Sequence, residues 1–442
     1  MLLFGLLVIL MITPVLNVPG PLLVKSPDVY LQVLLLTFIV YWAFKFRWLP
    51  FKKLALPIFA TLLVLVSQTL MNETIYRFGD ITAYTFARLS LTISVAYICA
   101  IILIYKKKDL ALPFFFKTII FAALFQGAVI WLSFFIPDFR DAMSAVFYRD
   151  MREGAEHMIL LRVPGFVPSG GDGLSMNQSL LSVAGLMGIF LYFNKSPYRN
   201  LLVIGLIFSM LSTAFTGRTG LLLGVLFFIL IFATQSNSFR ISRGMMKFFG
   251  IALTLFIPIV LFSQQIGIFG ESLSKGQGFE DPIVRLLRGF IDRQSGTGNT
   301  DMTVQTLLVD MVIVPNDPIR FLFGNGNFGQ ISSGTVNTDV GYFRMWHGIG
   351  FIGLFVFIFG LFLFPLIKIR SLSSNVRKYI ATKITDRLVL SHVNILSFLL
   401  LYGLIGHYKI IFLTSRIYAF VFFVLLFLIY NQLRSIQRKR TS

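Results

Sequence analysis

A single cysteine, Cys99, stands in 442 residues, and it lies within an apolar run. One thiol makes neither an intrachain disulfide nor a cysteine metal cluster, so disulfide scaffolds and zinc ribbons are excluded. Charge is scarce as well: 13% of residues are charged, with 19 acids and 4 histidines. The chain holds no P-loop, HExxH or GxSxG signature, and its outer-loop acids form no Asp-x-Asp pair. Nucleotide-phosphate, zinc-peptidase and serine-hydrolase chemistry therefore lack their residues, and no metal is expected. There is no internal repeat and no long link between two halves, which weakens a transporter of the major-facilitator kind.

Hydrocarbon is what the chain has in excess. Hydrophobic residues make up 56% and aromatic residues 15%, and mean hydropathy is +0.80. Soluble domains do not tolerate such a balance, and apolar runs of about twenty residues recur. The expectation is an all-α polytopic membrane protein, a single integral membrane domain over 1–442. About twelve transmembrane helices fall near 2–17, 29–44, 54–71, 82–105, 113–136, 174–193, 200–216, 219–234, 246–265, 345–367, 389–406 and 411–430. The opening MLLFGLLVILMITPV lacks a basic n-region and a small-residue cleavage site, so it reads as a first span rather than a removed signal peptide.

The basic residues then test the topology. With the N-terminus inside, six segments are cytoplasmic: 45–53, 106–117, 194–200, 235–247, 368–388 and 431–442. They hold 23 of the 39 basic residues and only two of the acids, Asp109 and Asp386. The net charge of +20 is thus topological by the positive-inside rule, and nucleic acid is not expected as a partner. Both termini fall in the cytoplasm, and two long loops, 137–173 and 266–344, fall on the outer face.

The first loop begins, from Asp138 to Leu161, with the charge density and apolar spacing of a short surface helix. It ends in Gly- and Pro-rich chain, after which Ser175 or Asn177 is placed to cap the next span. The second loop contains an amphipathic stretch in which Val304, Leu307, Leu308, Met311 and Val312 keep helical spacing, ended by Pro315. It leads through GNGNFG, Gly324 to Gly329, into TDVGYFRMWHGIGFIGLF.

An enzyme on the outer face has no nucleotide to draw on and needs a substrate already activated; lipid pyrophosphates are the obvious class. Without a metal, leaving-group charge must be met by arginine, whose planar fork binds phosphate oxygens bidentately. Arg218, in TAFTGRTGLLLG between two spans, is a snorkelling side chain or such a ligand; a topogenic arginine belongs on the opposite side. Arg162, in LRVPGFVPSG, precedes backbone able to approach a ligand and equally suits a solvated loop. Arg285, Arg288 and Arg293 form a phosphate cluster or ordinary headgroup contacts. Arg344 opens a span as an interfacial anchor, and Arg88 inside the fourth span needs a cavity or a partner. Asp339, just before Gly341, is a helix N-cap or a base for a sugar hydroxyl. His347, eight residues on, is a packed interfacial histidine or shares that face. Glu153, Glu156 and His157 read as the solvated face of the first loop's helix.

In arrangement the chain resembles the Wzy-type O-antigen polymerases, within the wider group that includes the O-antigen ligases. The resemblance rests on the span count, the two outer loops with the larger one late, and Arg162–Gly165 followed by Asn177. It also rests on the Gly217–Arg218–Thr219–Gly220 turn and the Gly-x-Gly run ahead of span ten. Paired R-x10-G patterns, Arg162 to Gly173 and Arg285 to Gly296, fit too but add little in so Gly- and Arg-rich a setting. It implies a GT-C-like bundle in the bacterial inner membrane, active on the periplasmic side, performing inverting, metal-independent glycosyl transfer with no cofactor. The donor would be the growing glycan on undecaprenyl pyrophosphate, and the acceptor the non-reducing sugar of a new lipid-linked repeat unit. Arg218 and Asp339 would be catalytic, the first holding pyrophosphate and the second orienting or deprotonating the acceptor hydroxyl. Arg162, Arg285, Arg288, Arg344 and His347 would bind substrate. The ligases carry a histidine at the position that Asp339 resembles, which speaks against ligase activity. Ligase and lipid-sugar flippase stay as alternatives, and a chain-length regulator is left open as a partner beside membrane lipids.

Overall fold

A computed structural model of the chain describes residues 1–12, 14, 16, 30–37, 51–76, 81–147, 165–166, 172–235, 313–315, 317–326, 328, 340–378 and 383–441. Among the described residues the secondary structure is helical, with one isolated bridge between Leu16 and Phe147. In chain order the helices are α1 (Leu2–Ile12), α2 (Lys52–Tyr76), α3 (Ile81–Lys107), α4 (Ala111–Phe135), α5 (Pro137–Val146), α6 (Asp172–Tyr192) and α7 (Arg199–Leu211). There follow α8 (Arg218–Gln235), α9 (Pro318–Phe323), α10 (Gly341–Ile358), α11 (Phe364–Lys378), α12 (Lys383–Lys409) and α13 (Arg416–Thr441). Residues 30–37 are also helical.

Among the described residues, five stretches are long and apolar enough to cross a membrane: Lys52–Asn72, Thr85–Phe135, Gly173–Tyr192, Gly341–Arg377 and Arg416–Arg438. The second holds two helices, α3 and α4, joined by the 3₁₀ turn Lys108–Leu110. Leu2–Ile12, Arg199–Phe215 and Thr219–Phe232 are shorter apolar helices. Helices satisfy every backbone group within the segment, which hydrocarbon demands, and this is the architecture of a polytopic membrane protein. The expected span at 246–265 and the amphipathic stretch 304–312 lie outside the described residues.

Two helices form the centre. Within the apolar windows, 83% of Gly173–Tyr192 and 72% of Arg416–Arg438 are buried, against 33% of Lys52–Asn72, so α6 and α13 are axial and α2 is peripheral. Helix α6 packs against α4, α7, α8 and α12, while α13 packs along α3, α11 and α12. Polar side chains bind the first group. Gln178 Nε2 donates to the Ala123 carbonyl (2.8 Å) and to Ser209 Oγ (2.7 Å), and Ser209 Oγ donates to the same carbonyl (2.8 Å). Such interhelical bonds contribute on average about 0.6 kcal/mol each in a membrane, so they fix register more than they supply stability.

Two expectations are corrected. The sixth span starts at Asp172, so neither Ser175 nor Asn177 caps it; both side chains are used between helices instead. The tenth is not one uninterrupted helix. It breaks at Gly350 (φ 71°, ψ 177°) and carries a π-helical turn at Phe359–Leu363.

Candidate active site at one end of the bundle

Helix α7 ends in hydroxyl groups that turn back on their own backbone. Ser212 Oγ donates to the Ser209 carbonyl (2.7 Å), Thr213 Oγ1 to Met210 (2.6 Å) and Thr216 Oγ1 to Thr213 (3.0 Å). Carbonyls left over at the helix end are thereby satisfied inside apolar surroundings, and the last turn tightens into a 3₁₀ helix, Ser212–Phe215. Two residues after Thr216, Arg218 opens α8. The sequence reading puts Arg218 within a tight turn between two spans; the backbone has it as the first residue of the second of them.

The head of α8 seats on the head of α6. Gly220 N donates to Ser175 Oγ (3.2 Å), and a Cβ on Gly220 would collide with the Ser175 carbonyl. Other helix ends meet at the same place. Asn177 Oδ1 accepts from Ser415 Oγ (2.8 Å), at the start of α13. Tyr402 Oη in α12 donates to the Met176 carbonyl (2.8 Å). Gly341, the first residue of α10, lies so close to the His407 and Ile410 carbonyls that no Cβ fits. Tyr342 Oη donates to the Leu404 carbonyl (2.8 Å), and its ring stands edge-on to His407 at 4.7 Å. The heads of α6, α8, α10 and α13 and the tail of α12 therefore converge on one end of the bundle.

His407 was not singled out from sequence. It is fully buried, its Nδ1 accepts from Leu413 N (3.2 Å), and its Nε2 has no partner among the described residues. That bond holds the reversal between α12 and α13, while the ring packs on Tyr342 and Phe357 of α10. No local sequence signal marks it, because the contact is made by tertiary folding.

The last part of the large loop is clasped to α10 where that helix breaks. Asn325 N donates to the His347 carbonyl (2.9 Å) and Gly326 N to Gly348 (3.0 Å). From α2, Gln68 Nε2 donates to Phe323 (3.0 Å) and Ile349 (2.6 Å) carbonyls, and Asn72 Nδ2 to Phe323 (3.1 Å) and Gly348 (3.2 Å). Trp346 Nε1 donates to the Phe321 carbonyl (3.0 Å). Interrupting a helix frees three carbonyls, at 347, 348 and 349, and each is met by a loop amide or an α2 side chain. The two glycines of the clasp are required: Gly324 and Gly350 have φ of 75° and 71°, and each would drive a Cβ into the other's backbone.

The site residues expected from sequence divide accordingly. Arg162, Arg285, Arg288, Arg293 and Asp339 lie outside the described residues. Arg344 sits half-buried in the first turn of α10. His347 is buried, and its Nε2–H donates to the Ile313 carbonyl (2.8 Å), the beginning of the clasped segment. That bond gives the imidazole a packing role between loop and helix. Arg88, in α3, is half-buried. Of the first loop, α5 starts with Pro137 and turns Phe139, Met143 and Phe147 inward, one face of a short surface helix. Phe166 stacks on Phe125 with centroids 5.2 Å apart, which ties the residues just after Arg162 to α4. No group of three or more metal-binding side chains occurs among the described residues. No family model and no curated protein matches the chain.

Proposed function

We propose that the chain is a glycosyltransferase that polymerises lipid-linked oligosaccharide repeat units at this end of the bundle. We place that end on the periplasmic face of a bacterial inner membrane, with both termini in the cytoplasm. The observation that supports the reading is the junction itself. The Gly-Arg turn at the head of α8 and Gly341, two residues after Asp339, belong to one cluster of helix ends, although more than a hundred residues separate them. A clasp that anchors the distal part of the large loop beside the same helix adds to it.

The chemistry follows from the residue types. The acceptor hydroxyl attacks the anomeric carbon from the face opposite the pyrophosphate, with Asp339 taking its proton. A new glycosidic C–O bond forms as the bond to pyrophosphate breaks, so configuration inverts. Undecaprenyl pyrophosphate leaves with the extra negative charge, which Arg218 meets with two parallel N–H donors, assisted by Arg285 or Arg288. Arg162 and Arg344 contribute to substrate binding at the rim.

The surface glycan of cells whose only copy carries Arg218→Ala tests this. The expected product is a single repeat unit on its carrier or its final anchor. Long lipid-linked chains left unattached would identify a ligase instead, and an unaltered glycan ladder would overturn the assignment of Arg218.

A further inference from the structure

At the opposite, basic end of the bundle, a cavity of about 210 Å³ opens between the α3–α4 turn and α13. Its wall combines apolar side chains, Ile104 and Leu428 among them, with the polar Lys108, Asp109, Gln432 and Ser435. Three further observations single it out. Lys108 is held at φ 48°, a conformation that residues with a Cβ seldom adopt, and this turn presents Lys108 and Asp109 to the cavity. Gln432 Oε1 is buried with no hydrogen-bond donor among the described residues, and buried acceptors are rarely left so. Tyr105 and Leu110, beside the turn, are 66% and 67% exposed, an amphipathic and an apolar surface suited to the lipid boundary.

We propose that this cavity is a headgroup site for an aminophospholipid, a lipid with a phosphodiester and a primary ammonium. The phosphate lies against Lys108 and Ser435, and the ammonium donates to Asp109. Acyl chains run along Ile104 and Leu428. Both charges are needed for the match: a purely anionic headgroup would face Asp109, and a trimethylammonium has no N–H to offer Asp109. The site stands apart from the transferase reading, and its test does not involve that activity.

Native mass spectrometry of the purified full chain, offered equal amounts of phosphatidylethanolamine, phosphatidylcholine and phosphatidylglycerol with identical acyl chains, reads the preference directly. The chain is expected to retain the ethanolamine lipid about tenfold over the choline lipid, the worth of one charge-assisted hydrogen bond. Asp109→Asn should erase that preference and raise retention of the glycerol lipid, while Lys108→Gln should lower all three. Both residues are exposed, so the variants keep the fold, which an unchanged elution profile checks. Equal retention of ethanolamine and choline lipids by the wild type would overturn the proposal. So would a preference that survives Asp109→Asn, or displacement by soluble phosphoethanolamine at the lipid's own concentration, which would identify a water-soluble ligand.

Discussion

In the proposed reaction, the Arg218 guanidinium acts most strongly on charge that appears only as a bond breaks. Lysine supplies the same charge without the planar fork. Arg218→Lys is therefore expected to lower the turnover rate by about 10²–10³-fold, the usual worth of a transition-state donor, while leaving KM nearly unchanged. Steady-state rates on a lipid-linked repeat unit check it; an equal loss through KM alone would mean that Arg218 binds the ground state only. Two amides in α2 carry a different kind of prediction. Gln68 and Asn72 each hold two carbonyls of the clasp, and leucine at both positions would leave the Phe323 and Ile349 carbonyls without these donors, while Gly348 keeps the Gly326 amide. The double variant Gln68→Leu, Asn72→Leu should lose about 2–4 kcal/mol locally. Because Arg320, 49% exposed, lies in the short helix α9 of the clasped segment, trypsin should cut after it faster than in wild type. Unchanged cutting would show that the loop is anchored by something else.

Among the elements, α10 decides how the large loop meets the membrane bundle. Alanine at position 350 meets two obstacles, a positive φ and the Leu322 carbonyl where its Cβ would go. Gly350→Ala should lower stability by about 1–3 kcal/mol, read as a fall in detergent Tm. Gly5→Ala, inside α1 with open space around it, is the matched control and should leave Tm unchanged or slightly raised. Hydropathy reads the described apolar helices well, because lipid solvent rewards long apolar runs whatever their partners. It is blind to the break, since Phe351, Ile352 and Phe355 continue the apolar run across it and the halves differ only in backbone angle. Ser175 and Asn177 show the same limit. Near a helix start they look like caps, yet the helix begins earlier and their oxygens serve Gly220 and Ser415, partners that no local window contains. The site was legible in part for a like reason. The Gly-Arg turn announces itself by composition, whereas His407 gains its place only when α12 returns beside α10.

For the whole molecule, the skewed basic residues imply which end faces which compartment, and the sole cysteine makes that easy to read. Cys99 is buried, so Cys99→Ala leaves a chain without reactive thiols. In that background, Ser295→Cys should react with a membrane-impermeant maleimide in intact spheroplasts, and Ser442→Cys only after permeabilisation. The reverse pattern would invert the molecule and move the junction of helix heads to the cytoplasm. In the proposed mechanism arginine, with no metal, carries the departing pyrophosphate at that junction. The most direct test is glycan length made by the purified protein in liposomes, supplied with lipid-linked repeat units and excess EDTA. The wild type is expected to make a ladder of polymer in EDTA and Arg218→Ala none; a ladder that vanishes with EDTA, or one that persists in Arg218→Ala, would overturn the mechanism.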